Sequence, residues 1–154
     1  MVHVCHRVIV DVSLEHAFEY VADYRNLADW MFGIQKVRLV AGTANEPGSR
    51  YDMAVRLGTT IQSTIEVTKR EPNALFATES RAGFVSRSTW NFRQISDDTT
   101  EIEFNVEYEL PGGLAGRMLG KVIEPFVSIA LNHSEEALGT ALGDRYRHTL
   151  GEGR

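Results

Sequence analysis

The chain has 154 residues, a normal length for one domain and short for two. Its hydrophobic fraction of 43% is close to the globular average, which sets aside disorder as the default state. With 21 acidic against 16 basic residues the net charge is −5, a balance that argues against nucleic acid as a partner.

Cys5 is the only cysteine, so the chain cannot close a disulfide on itself, and a reducing cytoplasm is the expected compartment. Charged and polar residues interrupt residues 1–12, so no signal-peptide core is expected there. The most apolar stretch, 118–131, contains Lys121, Glu124 and Pro125 and is too short and too charged to span a bilayer. No run of Lys or Arg suggests an anionic membrane patch.

Residues 2–12 alternate, with Val4, Val8, Val10 and Val12 on one face and Cys5, Arg7 and Asp11 on the other, which predicts a strand. Ser13 follows as an N-cap, with Glu15 in the first turn. Leu14, Ala17, Phe18 and Val21 then recur at helical spacing, and a second short helical piece is predicted over 24–30. Strands follow at 34–40, then after the Pro47-Gly48 turn at 50–57, and after Gly58-Thr59 at 61–68. In these, Tyr51, Met53, Val55 and Leu57 share one face, as do Ile61, Ser63, Ile65 and Val67. A turn at Glu71-Pro72-Asn73 leads to a short strand over 75–79 whose facing the pattern does not assign.

Gly83 precedes a strand over 84–93, with Ser86, Ser88, Trp90 and Phe92 on one face. The cleanest alternation comes next. Ile102, Phe104, Val106, Tyr108 and Leu110 lie on one side, opposite Glu101, Glu103, Asn105, Glu107 and Glu109. One dry face and one wet face predict an antiparallel sheet covered on one side. Pro111-Gly112-Gly113 ends the sheet, and from 114 to about 146 the pattern is helical. Roughly 30 helical residues would span roughly 45 Å, enough to cross a whole sheet. Pro125 inside that helix predicts a kink. The Gly112-Gly113 hinge and the 42–48 loop are expected to be mobile.

This order predicts an α+β helix-grip fold in one domain, residues 1–147, with a flexible tail at 148–154. A seven-stranded curved antiparallel sheet would wrap around the long C-terminal helix, with two short helices after the first strand. A curled sheet and a straight helix do not meet flush everywhere, so a cavity can remain between them.

The opening Val8-Ile9-Val10-Asp11-Val12-Ser13, then His16-Ala17-Phe18-Glu19-Tyr20-Val21-Ala22-Asp23 and Trp30, resembles the SRPBCC superfamily. That superfamily includes START domains, pollen-allergen-like proteins and the polyketide cyclase/dehydrase group. Trp90-Asn91-Phe92 and the Gly-Gly loop before a final helix are similar too, so the resemblance covers about residues 3–146. It departs at Ser13, where the family usually has proline. What the resemblance implies is a cavity for a hydrophobic ligand such as a lipid, sterol or polyketide, with no residue set common to all members that performs chemistry.

The expected ligand-binding residues are Tyr51, Met53, Ser88, Trp90, Phe104 and Tyr108 on the strands and Phe126, Ile129, Ala130 and His133 on the long helix. His133 falls on the apolar helix face, where it would bond either a ligand or an internal partner. Ser63, Ser86 and Ser88 interrupt apolar strand faces as a pocket wall would, or as ordinary sheet residues. Trp30 is read chiefly as packing the short helices on the sheet. His3 and Cys5 share a strand face while His6 points away, which makes a poor zinc site. No nucleotide-type glycine loop, nucleophile elbow or Cys-x-x-Cys pair is present, so no metal, cofactor or catalytic residue is assigned.

The leading expectation is therefore a monomer or homodimer that binds or transports a hydrophobic small molecule. The first alternative is a polyketide cyclase or aromatase using His133, Tyr51 and Tyr108 for proton transfer. A second alternative is a protein-interaction module of a stress or toxin type.

Overall fold

The computed structural model describes residues 2–31, 33–57, 59–109, 138–140 and 142–143. Strand β1 is Val2–Val10, followed by helix α1, Leu14–Val21, a single 3₁₀ turn Tyr24–Asn26, and the short helix α2, Leu27–Trp30. Six strands then run in succession: β2 Ile34–Ala41, β3 Arg50–Leu57, β4 Thr59–Glu71, β5 Leu75–Gly83, β6 Ser86–Ser96 and β7 Thr99–Tyr108. They form one antiparallel sheet in the order β1-β7-β6-β5-β4-β3-β2. Strands β2 to β7 are thus a meander, and β1 closes back on β7 with Val8 opposite Ile102 and Val10 opposite Thr100.

The alternation explains which face is dry. Val10, Tyr51, Met53, Ile65, Val67, Phe76, Trp90, Phe92 and Ile102 are all buried and belong to one core with the helical residues Phe18, Val21, Tyr24, Leu27 and Trp30. Ser13 caps α1 as expected, its hydroxyl accepting from the His16 N–H at 3.3 Å. The Phe18 ring then packs edge-on against Phe92, with centroids 5.1 Å apart. Trp30 meets Trp90 in the same edge-on manner at 5.6 Å. The short helices are therefore fastened to β6 by aromatic pairs. Leu138 and Leu142 are buried in this same core. The rest of the expected C-terminal helix, with Phe126, Ile129, Ala130, His133 and the Pro125 kink, lies outside the described residues, as do Gly112-Gly113 and the 148–154 tail.

Two local readings change. Strand β5 runs to Gly83 rather than stopping near 79, and its facing is now fixed: Phe76 and Thr78 point into the core. Strand β6 begins at Ser86, which leaves Phe84 and Val85 in the turn. The 42–48 loop, expected to be mobile, is tied on three sides. The Asn45 N–H donates to the Tyr51 hydroxyl at 2.7 Å, and that hydroxyl donates to Asn45 Oδ1 at 2.9 Å. Asn45 Oδ1 also accepts from the Tyr24 N–H at 3.2 Å, and the Gly48 N–H donates to the Val67 carbonyl at 2.8 Å. Glycine at the ends of a loop permits a tight path, but it does not free backbone groups that already have partners.

The wet face carries ion pairs that cross the strands. Arg50 and Glu66 meet at 2.8 Å, Arg81 bridges Glu66 and Glu79, and Arg87 reaches Glu79 at 2.9 Å. Arg7 pairs with Glu103 at 2.8 Å, and Arg93 pairs with Glu101.

Candidate ligand cavity

A cavity of about 150 Å³ lies on the dry face, bounded by the helical segment on one side and the sheet on the other. Tyr24, Leu27 and Met31 come from the segment between β1 and β2, and Ile34, Met53, Val55 and Ile65 from β2, β3 and β4. Phe104, Val106 and Tyr108 are contributed by β7. These positions follow from period-two alternation on strands whose other face is wet. Trp90 and Phe104 are cross-strand partners, and their rings stack at 3.9 Å with 21° between planes. They make one flat aromatic wall.

Polar atoms enter this wall in a pattern. Thr78 is directly across from Ser88, and Ser86 is directly across from Tyr108. All four line the cavity, and Ser63 adds a fifth hydroxyl from β4. Tyr24 supplies a sixth, held by its neighbours: the Trp90 indole N–H donates to the Tyr24 hydroxyl at 3.2 Å, and Thr78 Oγ1 lies 3.5 Å from it. Burial pushes the Tyr24 phenol above its ordinary value, although Thr78 and Trp90 pull the other way. Tyr24 therefore stays protonated at neutral pH and keeps a proton to donate. None of the described lining residues is charged, so what this wall offers is apolar surface and neutral hydroxyls.

Of the residues expected from the sequence, Met53, Ser88, Trp90, Phe104 and Tyr108 are brought together around this cavity. Tyr51 is not. Its ring is fully buried beside Tyr24, 6.0 Å between centroids, and its hydroxyl is committed to Asn45. Burial raises the Tyr51 phenol as well, so it serves the loop as a neutral donor and acceptor. Trp30 packs edge-on against Trp90 and does not line the cavity. Phe126, Ile129, Ala130 and His133 lie outside the described residues. Tyr24, Leu27 and Met31 escape a reading of the sequence, because a 3₁₀ turn and a one-turn helix carry too few residues to show a periodic face. Thr78 escapes it because both faces of β5 mix apolar and polar side chains, whereas Phe84 has the parity of Ser86, Ser88 and Trp90, so alternation over 84–93 already puts it on their face.

Among the described residues there is no cluster of three or more side chains able to hold a metal, and no helix long and apolar enough to cross a membrane.

A family model for polyketide cyclase/dehydrase and lipid transport matches residues 1–142. No curated protein matches the chain. Among solved structures, a START superfamily protein from Mycobacterium smegmatis is 18% identical, with a TM-score of 0.75 over 92% of this chain and 97% of its own. A protein from Thermus thermophilus is 19% identical, with a TM-score of 0.71 over 91% of this chain and 99% of its own. The Zhui aromatase/cyclase from a Streptomyces species is 17% identical, with a TM-score of 0.70 over 89% of this chain and 93% of its own. At these identities the likeness is one of fold.

Proposed function

The chain belongs to the polyketide cyclase/dehydrase and lipid transport family, and from that premise we propose that it binds a neutral, hydrophobic small molecule bearing oxygen atoms along one edge. The observation that carries this reading is the composition of the cavity wall. A flat apolar surface from Trp90 and Phe104 shares the wall with the aliphatic side chains of Leu27, Met31, Ile34 and Val55, while a row of hydroxyls runs from Ser86 and Tyr108 through Ser88 and Thr78 to Tyr24. Apolar walls supply most of the binding free energy by removing surface from water. The hydroxyls supply orientation, because a carbonyl or hydroxyl on the ligand would otherwise be desolvated without a partner. A free carboxylate has no cation among these lining residues to meet it.

Volume restricts the ligand further. About 150 Å³ is the size of an engineered apolar cavity that holds one benzene molecule. A single aromatic ring or a short chain fits the space as it stands, and anything longer must extend beyond it. The expected side chains of the C-terminal helix, Phe126, Ile129, Ala130 and His133, remain part of this proposal as its opposite wall.

Native mass spectrometry of gently purified protein should retain a bound neutral molecule, and matched single-ring pairs such as 4-methylphenol and 4-methylbenzoic acid should separate in a thermal-shift assay. The phenol should raise the melting temperature and the benzoate should not. Stabilisation by the acid and not the phenol would overturn the reading.

One observation favours a second reading, that of a cyclase or aromatase. Tyr24 offers a protonated phenol at the buried end of the cavity, placed to donate to a ligand carbonyl oxygen. Turnover of a poly-β-ketone mimic that is lost in Tyr24→Phe with the fold intact would support it.

A further inference from the structure

Half-buried residues occur along the whole cavity wall, and Val55, Phe84 and Ser86, with Ile34 opposite Val55, are those at the end of the sheet where β5 turns into β6. Tyr24, Leu27, Ile65, Thr78 and Trp90 are buried and lie toward the other end. Phe84 thus stands at the β5–β6 end of the cavity wall, between the exposed residues Gly83 and Val85.

The backbone around Phe84 is fixed. Gly83 has φ +75°, and a Cβ added there would run into the Gln62 carbonyl oxygen, so the turn lies directly against the end of β4. The Phe84 N–H donates to that same Gln62 carbonyl at 3.1 Å. The Ser63 hydroxyl donates to the Phe84 carbonyl at 3.4 Å, and the Glu109 N–H donates to the Val85 carbonyl at 3.0 Å. The in–out alternation of β6 carries on into this turn, so that Phe84 shares the cavity side with Ser86 and Ser88 while Val85 points to water, 44% exposed.

The ring itself is placed by packing and not by hydrogen bonds. It is half-buried, and its aromatic contact is a tilted one with Tyr108, 5.7 Å between centroids. The wall at this end thus has a hydrogen-bonded backbone frame that carries one large ring.

We propose that Phe84 determines ligand length: its ring stops a ligand that extends from the cavity toward the β5–β6 turn. This rests on the reading of the cavity as a binding site for neutral apolar molecules. A bulkier side chain at position 84 should shorten the accepted ligand and a smaller one should lengthen it. Thr78, Tyr24 and Trp90 at the far end should leave the length limit unchanged, because their hydroxyl and indole groups orient the ligand there.

The test uses a homologous series of straight-chain primary alcohols, from hexanol to tetradecanol, displacing the neutral fluorophore N-phenyl-1-naphthylamine. Affinity should rise by about fourfold for each methylene buried and then level off where the chain reaches the stop. In Phe84→Ala the levelling should move to longer alcohols, and in Phe84→Trp to shorter ones. Phe84→Leu should fall between Ala and wild type, and it decides the matter with the Trp variant if the Ala variant does not fold. The same levelling point in all folded variants would overturn the assignment of Phe84 while leaving the cavity reading intact. Failure of wild type to bind either the fluorophore or any alcohol would overturn both.

Discussion

The Tyr24 hydroxyl ties the helical segment to two strands: it accepts from the Trp90 indole on β6 and lies beside Thr78 on β5. Tyr24→Phe removes one oxygen and little volume. The Trp90 N–H, buried with the rest of a side chain only 3% exposed, then loses its acceptor. An orphaned buried donor costs about 1–3 kcal/mol, and the weaker contact to Thr78 adds little. For a chain of 154 residues each kcal/mol moves the melting temperature by roughly 2–4 °C, so a cost in the middle of that range lowers it by about 4–8 °C. Thr78→Val, which removes only the 3.5 Å contact, should cost under about 1 kcal/mol. The decisive comparison is the double-mutant cycle with Trp90→Phe. Once the indole is gone there is no donor left to orphan, so the double variant should be more stable than the sum of the singles by about 1–2 kcal/mol. Urea melts of the four proteins measure this directly. Additivity to within about 0.5 kcal/mol would mean that Tyr24 and Trp90 are neighbours in packing alone, and the polar anchor at the deep end of the cavity would have to be abandoned.

Gly83→Ala and Gly48→Ala should differ sharply in chemical melts. Both glycines have positive φ, but Gly48 has open space around it and should cost about 1–2 kcal/mol, whereas Gly83 abuts the Gln62 carbonyl and should cost more than that. Equal losses would show that the backbone approach at 83 yields freely. Tyr24 and Tyr51 both have phenols raised by burial, so folded protein keeps protons that the unfolded chain loses near about pH 10. Their contribution is complete below about pH 10 and declines as pH rises above it. Melting temperature should therefore fall steeply in alkali, less so in Tyr24→Phe, and parallel curves for the two proteins would refute this. In hydrogen exchange the Asn45, Gly48 and Val67 amides should be protected, since each donates within the structure. Exchange of Asn45 at the rate of an open loop would mean that the Tyr51 anchor does not persist in solution.

Strand identity and facing were legible wherever one face was plainly dry. The β7 run from Ile102 to Tyr108, with glutamates between, could be read without any structure, and the matching alternation on β3 and β4 placed Met53, Ile65 and Val67 inward. The Ser13 cap was legible because capping depends on a side chain a few atoms from its own helix. Tyr51 shows where this stops. Alternation puts its ring on the dry face, and the ring is there, but periodicity carries no information about where a hydroxyl at the ring's far end finds its partner. That partner is Asn45, in a loop with no period of its own. Thr78 was hidden for a different reason. Its role depends on which strands come together in space, and a two-faced strand has no period that encodes this.

The wet face of the sheet answers a question that the dry face leaves open. Alternating hydrophobicity decides which side of a strand turns inward, but sliding a strand by two residues preserves that choice. The charges resolve the tie. In the observed pairing Arg50 faces Glu66, and sliding β3 against β4 by two in one direction would instead set Asp52 opposite Glu66. Likewise Glu79 faces Arg87, and a two-residue slide of β5 against β6 would bring Arg81 opposite Arg87. Like charges directly across a ladder repel, so these slips are penalised where the core alone would tolerate them. Ion pairs that add little to stability can in this way act as alignment marks, selecting one of several equally dry sheets while the chain is assembling.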